Sequence, residues 1–467
     1  MIRNAMKVMT FIFVGIVLFL LGTGVYLYVK SPQLLQILTG YSAKIMCSCH
    51  YIAERPTDHI LDRELAFYRK YVDITIEEES KVVTATSGKA VSKALYREGL
   101  GCSLMADKSV EELQSQLGKE VPQVQLPLRN VAWPLGDSIP PYTPSGVDME
   151  AVESAVSYAF SPTSEGTPKG THAVVVVHDS MLLAEQYGEG FSPSMPLKGW
   201  SMTKSVTQAL TGILVREGKL DVSQPAAVPQ WYENDQDARQ AVTLDHLLRM
   251  SSGLEFFEFY FWLTDAVKML FMLPDAAGYA SSLPLEKEPD THWSYSSGTT
   301  NIVSGIIRRT VGEEHYWTFP QDSLFNQIGM RTATIEPDAN GTFVGSSFMH
   351  ATPRDWARFG LLYLWEGNWM GKQILEKEWV RYAASPGPTA GGIYGAHFWA
   401  NAPNPETGEK RWPTVPDDLY FASGFEGQYV FIIPSRKLVV VRLGSTPERK
   451  RFSEEVFLST LLEGIPD

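Results

Sequence analysis

Basic residues are in deficit in this chain: 40 Lys and Arg stand against 53 Asp and Glu, a net charge of -13. That balance excludes nucleic acid as a partner, because phosphate binding needs a basic face. Histidine is sparse, 9 residues scattered through 467 with no HExxH or HxxxH pair, so no metal site is expected. Neither a P-loop nor a GxGxxG following a strand is present, and nothing in the pattern asks for a cofactor. Internal repeats are missing too, which removes solenoids and propellers. Only 3 cysteines occur, too few for a disulfide scaffold. The 44% hydrophobic content is that of a globular protein with a sizeable core.

Long apolar runs are also absent, with one exception. Met9 to Val29 is uninterrupted by charge and rich in Phe, Leu, Ile and Val, and Arg3 and Lys7 precede it. About 20 such residues span a bilayer as a helix. The positive flank stays in the cytoplasm and the rest of the chain crosses. The reading is a single-pass anchor in the inner, cytoplasmic membrane with the folded part periplasmic or otherwise extracytoplasmic. The competing reading is a cleaved signal peptide, but its apolar region would be shorter, and no small-x-small site precedes Lys30. The cysteines, Cys47, Cys49 and Cys102, then lie where disulfides persist. A bridge from Cys102 to Cys47 or to Cys49 leaves one thiol over, and three buried free thiols are the alternative.

A chain of 467 residues exceeds what one core usually organises. Residues 1–8 read as a cytoplasmic tail and 9–29 as the anchor. Residues 30–125 read as a juxtamembrane segment. Within it, Ser31 to Met46 suggests a short helix near the membrane surface, and Asp73 to Thr86 and Lys93 to Met105 a small strand meander. Val121 to Pro144 is Pro-rich and aperiodic, a linker or strap, so the main domain is placed at 126–467. There, Asp148 to Phe160 has helical spacing, and His172 to Val177 and Met181 to Tyr187 form a hairpin turned at 178–180. An amphipathic helix is expected from Ser201 to Glu217, then a mainly helical block to about Trp399. Strands return at Leu419 to Ser423, Gln428 to Ile433 and Lys437 to Leu443, before a closing helix from Phe452 to Leu462. The expected class is α+β: one antiparallel sheet assembled from both ends of the domain, flanked by helices, with a large helical insertion.

Ser201-Met202-Thr203-Lys204 falls at the expected helix start. Residues at i and i+3 share a helix face, so the Lys204 amine reaches the Ser201 hydroxyl. Burial lowers a lysine pKa and makes it a base able to activate that serine. The helix N-terminus offers N–H groups to an oxyanion. The competing reading is a surface pair. Trp293 to Gly298 (WSYSSG) adds Tyr295, suited to relay a proton or act as general acid, and Ser297, suited to one hydrogen bond. Helix capping by Ser297 or Thr299, with Tyr295 in the core, is the bland alternative. Ala422 to Gln428 (ASGFEGQ) brings Ser423, Gly424 and Phe425 to a strand, where Gly424 permits close approach and the Phe425 N–H suits a second oxyanion donor. An ordinary turn explains it equally well.

Taken in order, these segments resemble the serine beta-lactamase and DD-peptidase superfamily, with its Ser-x-x-Lys, Tyr-x-Asn/Ser and Lys/His-Thr/Ser-Gly motifs. Leu248 to Leu254 (LRMSSGL) and Thr352 to Gly360 (TPRDWARFG) resemble two further family segments. The likeness runs from about Asp137 to the C-terminus and is strongest to the class C-like branch, which includes family VIII esterases and 6-aminohexanoate-dimer hydrolases. It implies a beta-lactamase/transpeptidase-like fold, acylation of Ser201, proton transfer by Lys204 and Tyr295, and oxyanion donors at Ser201 and Phe425. Ala422 stands where beta-lactamases and DD-peptidases carry a cation that holds a substrate carboxylate. Its absence favours a neutral, small-molecule ester or amide as substrate.

The expected activity is therefore a membrane-anchored serine esterase or amidase. A cell-wall peptidase or penicillin-binding activity on the same machinery is the second reading, and a non-catalytic binding protein the third. The aromatic stretch Leu254 to Phe271 reads as a wall or lid beside the site, as helical core, or as a membrane contact.

Overall fold

The computed structural model describes residues 32–116, 121–123, 128–140, 145–260, 262–446 and 451–466. The expected anchor at 9–29 lies outside them. Among the described residues no helix is long and apolar enough to cross a membrane.

A six-stranded antiparallel sheet organises the molecule. Its order is Trp399–Ala400, Tyr420–Gly424, Gln428–Ile433, Leu438–Gly444, Thr171–His178 and Met181–Tyr187. The two ends of the domain meet where Leu438–Gly444 pairs with Thr171–His178. Both central strands are buried along their whole length, so each sheet face needs its own cover. Val175, Val177, Val439 and Val441 point into the larger core, while Val174, Val176 and Val440 point into a second one. The first face is covered by helix Pro353–Leu364, the second by helices Met149–Phe160 and Glu454–Glu463. Asp148 caps its helix as the sequence pattern suggests, accepting from the N–H of Glu150 and of Ala151.

The helix after Ser201 differs from expectation. Trp200–Met202 is a 3-10 turn and the α-helix is Thr203–Arg216. It is also not amphipathic in the surface sense, because every residue from Thr203 to Leu214 is buried. Its polar positions make internal bonds instead: Ser205 donates to the His397 carbonyl at 2.7 Å and Thr207 to the Gly345 carbonyl at 2.9 Å.

The N-terminal segment is part of the fold rather than an appendage. A helix over residues 32–51 replaces the short surface helix expected at 31–46. Its middle is buried in protein, and only its first turn is exposed. The meander has four strands, Asp73–Glu77, Val82–Ser87, Ala90–Arg97 and Gly101–Leu104. Cys47 is bridged to Cys102 across a sequence separation of 55, and Cys49 is a buried thiol. Closing a loop of that length is worth about 4 kcal/mol in the chain-entropy view. Lys44 pairs with Glu336 of the main domain at 2.6 Å, and the Ser48 hydroxyl and Cys102 N–H each donate to the same carboxylate at 2.7 Å. Burial raises the Glu336 pKa, but the Lys44 charge and these bonds outweigh it and leave the carboxyl below its ordinary value. The strap is fixed in the same manner: Arg358 donates to the carbonyls of Pro134 at 2.7 Å and Gly136 at 2.8 Å.

Replacing Lys44 by Met leaves the Glu336 carboxylate buried without its counter-ion. We expect a loss of about 3–5 kcal/mol, read by urea denaturation. The double variant Lys44→Met/Glu336→Gln should recover part of it.

Candidate active site

Ser201 sits at the seam of sheet and helical block because two segments approach there without side chains. A Cβ added to Gly424 would lie 2.2 Å from the Gly199 carbonyl oxygen, so strand Tyr420–Gly424 meets the turn that carries Ser201 only with glycine at 424. Trp200, just before Ser201, has φ of 48°, a left-handed conformation rare for a bulky residue. Surrounding contacts hold it: its ring lies 5.6 Å from Phe425 and 6.5 Å from Phe348. Strained backbone of this sort clusters where a side chain must be aimed.

One turn on, the Lys204 side chain is buried and makes three bonds, to Ser201 Oγ at 3.1 Å, Ser297 Oγ at 2.9 Å and the Ser346 carbonyl at 3.0 Å. Three donors are all an ammonium has. The Tyr295 ring lies 4.8 Å away. Burial lowers the Lys204 pKa to about 8, with Glu258 acting in the opposite sense. Near neutral pH a usable fraction is the free amine, whose lone pair can take the Ser201 proton.

Glu258 holds the far side of this arrangement. Its carboxylate accepts from the Ser297 N–H and hydroxyl, both at 2.6 Å. Ser297 opens helix Ser297–Val311, so the acid also faces a helix N-terminus. The Ser297 hydroxyl thus accepts from Lys204 and donates to Glu258. Capping falls to neighbouring Ser296, which accepts from Thr299 N–H at 3.2 Å, rather than to Ser297 or Thr299.

Two phenols flank the nucleophile. Tyr295 and Tyr260 both line the cavity beside Ser201, and the Tyr260 hydroxyl reaches Glu258 at 3.5 Å. Burial, then the neighbouring Tyr394 and Glu258, drives the Tyr295 pKa well above 10. Burial followed by Glu258 raises that of Tyr260. Both stay protonated and act as donors near neutral pH, which leaves Lys204 as the base. Tyr295 packs among Trp293, Tyr394 and Trp399.

A cavity of about 430 Å³ opens onto Ser201 and is lined by Tyr260, Tyr295, Ser423, Gly424 and Phe425 among others. A larger depression of about 910 Å³ lies elsewhere, by Trp365, Met370 and Leu419, away from Ser201 and Lys204. We place the chemistry in the smaller one. Ala422, which replaces the family's cation, is buried in the sheet. A different cation lines the cavity: Arg411, whose guanidinium lies 5.1 Å from the Trp399 and Trp412 rings. Among the described residues no group of His, Cys, Asp and Glu could hold a metal ion.

The beta-lactamase family profile matches residues 167–459. The chain belongs to the beta-lactamase family. It is 24% identical over 296 residues to the 6-aminohexanoate-dimer hydrolase of Paenarthrobacter ureafaciens, covering 60% of this chain and 73% of that one. Among solved structures it resembles a family VIII carboxylesterase (TM-score 0.51, 14% identity, 70% and 99% of the two chains). It also resembles an octameric penicillin-binding protein homologue from Pyrococcus abyssi (TM-score 0.51, 18% identity, 68% and 76%). These likenesses establish the beta-lactamase/transpeptidase-like α+β fold.

The structure brings Ser201, Lys204, Tyr295, Ser297, Ser423, Gly424 and Phe425 to one site. Sequence reasoning missed Glu258, Tyr260, Ser346 and Arg411. Glu258 carried a faint signal, an acid among Phe256, Phe257, Phe259 and Tyr260. Ser346 carried none, because any residue supplies a carbonyl. With Lys204 as the base, acylation of Ser201 by a fluorophosphonate should rise with pH through an apparent pKa near 8 and level off above it. Second-order labelling rates across pH 6 to 10 check this, and a flat profile would contradict Lys204 as base.

Proposed function

We propose that this protein is a serine hydrolase that cleaves an ester or amide through an acyl-enzyme on Ser201. The observation that carries the reading is the buried Lys204 amine held 3.1 Å from Ser201 Oγ with its pKa lowered to about 8. Neutral Lys204 accepts the hydroxyl proton as Ser201 Oγ bonds to the substrate carbonyl carbon. The oxyanion is received by the N–H groups of Ser201 and Phe425. The proton passes to the departing alcohol or amine through Tyr295 or Tyr260 as the carbon–heteroatom bond breaks. Water then attacks the acyl-Ser201 ester, its proton going to Lys204, and the acid leaves with Ser201 restored.

The 430 Å³ cavity suits a small molecule. Arg411 changes the reading from the Ala422 position, because the missing strand cation has a counterpart on a loop. An amide carrying a carboxylate, as the relative named for 6-aminohexanoate dimer would take, is accommodated beside a neutral ester. We also infer that Met9 to Val29 anchors the chain in the cytoplasmic membrane with the enzyme outside the cytoplasm. The Cys47–Cys102 bridge supports an oxidising compartment.

Intact-mass spectrometry after a fluorophosphonate probe tests the central claim. One adduct is expected on the native protein and none on Ser201→Ala. No adduct on folded native protein would sink the hydrolase reading in favour of a binding protein. Arg411→Ala should raise KM roughly tenfold for a carboxylate-bearing amide and leave a neutral p-nitrophenyl ester unaffected, as expected for one charge-assisted contact of about 1.5 kcal/mol or more.

A further inference from the structure

Large apolar side chains stand in the open in and beside the segment that carries Glu258 and Tyr260, and two of them, Phe259 and Phe425, line the cavity. Phe257 and Phe259 are 58% and 71% exposed, and Phe425 and Trp262 are each more than a third exposed. Their exposure is built in rather than loose. The Phe257 N–H donates to Asp265 at 3.0 Å, the Ala266 N–H to the Phe257 carbonyl at 3.1 Å, and Thr264 to the Phe259 carbonyl. The loop backbone is thus locked onto the start of helix Asp265–Phe271 while its rings face outward. The N-terminal segment adds Phe67 and Tyr71, 69% and 56% exposed, among the exposed cations Arg63, Arg69 and Lys70. Exposed aromatics beside basic residues are the composition of surfaces that sit at a lipid headgroup layer. Arg69 is paired with exposed Asp62 in the same stretch.

Both groups converge on the middle of the helix over residues 32–51. Gly40 packs against the Phe271 carbonyl so closely that a Cβ there would lie 2.0 Å away. Tyr41 lies between the Tyr68 ring at 4.6 Å and the Phe271 ring at 5.1 Å. The Glu426 carboxylate, at the cavity, is close enough to oppose ionisation of Tyr41 and Tyr68. The apolar run ends at Val29, and the described helix begins at residue 32 with its first turn exposed. A bilayer holding Met9 to Val29 would therefore lie beside this aromatic rim.

We propose that this rim, Phe67, Tyr71, Phe257 and Phe259, docks on the bilayer that holds the N-terminal segment, so that the site takes an acyl ester or amide out of the lipid layer. The docking stands on the rim and the tether. The substrate clause rests on the acyl-enzyme reading.

The test uses the full chain in vesicles of phosphatidylethanolamine and phosphatidylglycerol. Phe67→Cys and Phe259→Cys are labelled with NBD, with Ser154→Cys on the exposed side of helix Met149–Phe160 as the distal control. The expected result is a blue shift and quenching by doxyl lipids at 67 and 259, and neither at 154. Unquenched label at 67 and 259, whether in water or covered by a second copy or another protein, overturns docking. The double variant Phe67→Ser/Phe257→Ser is then compared with the native chain. We expect unchanged hydrolysis of soluble p-nitrophenyl acetate and at least tenfold slower hydrolysis of p-nitrophenyl palmitate in the vesicles. Equal rates on the palmitate overturn the substrate clause. If Ser201 takes no fluorophosphonate, the hydrolase reading fails while the quenching still decides docking.

Discussion

The buried ammonium of Lys204 is the constraint around which the rest is arranged. A lysine that must give up its proton near neutral pH has to leave water, and leaving water is costly unless each N–H has an acceptor. The three acceptors come from three places: the helix turn it belongs to, the start of helix Ser297–Val311, and the carbonyl at Ser346. None is a carboxylate in direct contact. Glu258 is kept one hydroxyl away, behind Ser297, so its charge opposes the effect of burial without clamping the lysine in its charged form. Both Ser201 and Ser297 owe their positions to the same amine.

Supporting that amine reaches into parts of the chain with no evident chemistry. Ser346 is fixed by its N–H bond to Asn301 at 3.2 Å, and Gly345 before it is wedged against Thr207 and Ser304. Phe348, two residues on, lies under the Lys44 amine of the N-terminal helix, at 4.4 Å. Lys44 in turn is tied to Glu336, and the Cys47–Cys102 bridge holds its helix to the meander. The segment read from sequence as a juxtamembrane attachment is therefore a buttress of the catalytic unit. Burial of the helix over residues 32–51 goes with its having Lys44 as its one Lys, Arg, Asp or Glu.

Much of the architecture was legible. The hairpin at 171–187, the strand Gln428–Ile433 and the helix behind Asp148 follow from period-2 and period-3.6 patterns with clear turn and cap residues. The pattern failed where burial is complete. Helix Thr203–Arg216 looked one-sided because its Ser, Thr and Gln residues read as a solvent face, whereas Ser205 and Thr207 bond to carbonyls of packed loops and Gln208 accepts from the Tyr363 hydroxyl. The stretch Leu254 to Phe271 could not be resolved by periodicity because it does two things at once. Val267, Met269, Leu270 and Phe271 join the core, while Glu258 and Tyr260 turn into the site and Phe257 and Phe259 turn out.

The sequence by itself determined the Ser201–Lys204 pairing, since a Ser and a Lys three residues apart are brought together by the local helical turn alone. It also determined the order of the family segments and the single apolar run. Only the tertiary structure decided that Cys47 and not Cys49 joins Cys102, that Ser296 rather than Ser297 caps its helix, and that Glu258, Tyr260 and Arg411 share the cavity. The physical reason is range. Contacts within a turn follow from fixed backbone geometry and leave a spacing to read. Contacts between distant segments depend on how cores close over one another, and a carbonyl such as that of Ser346 belongs to every residue alike.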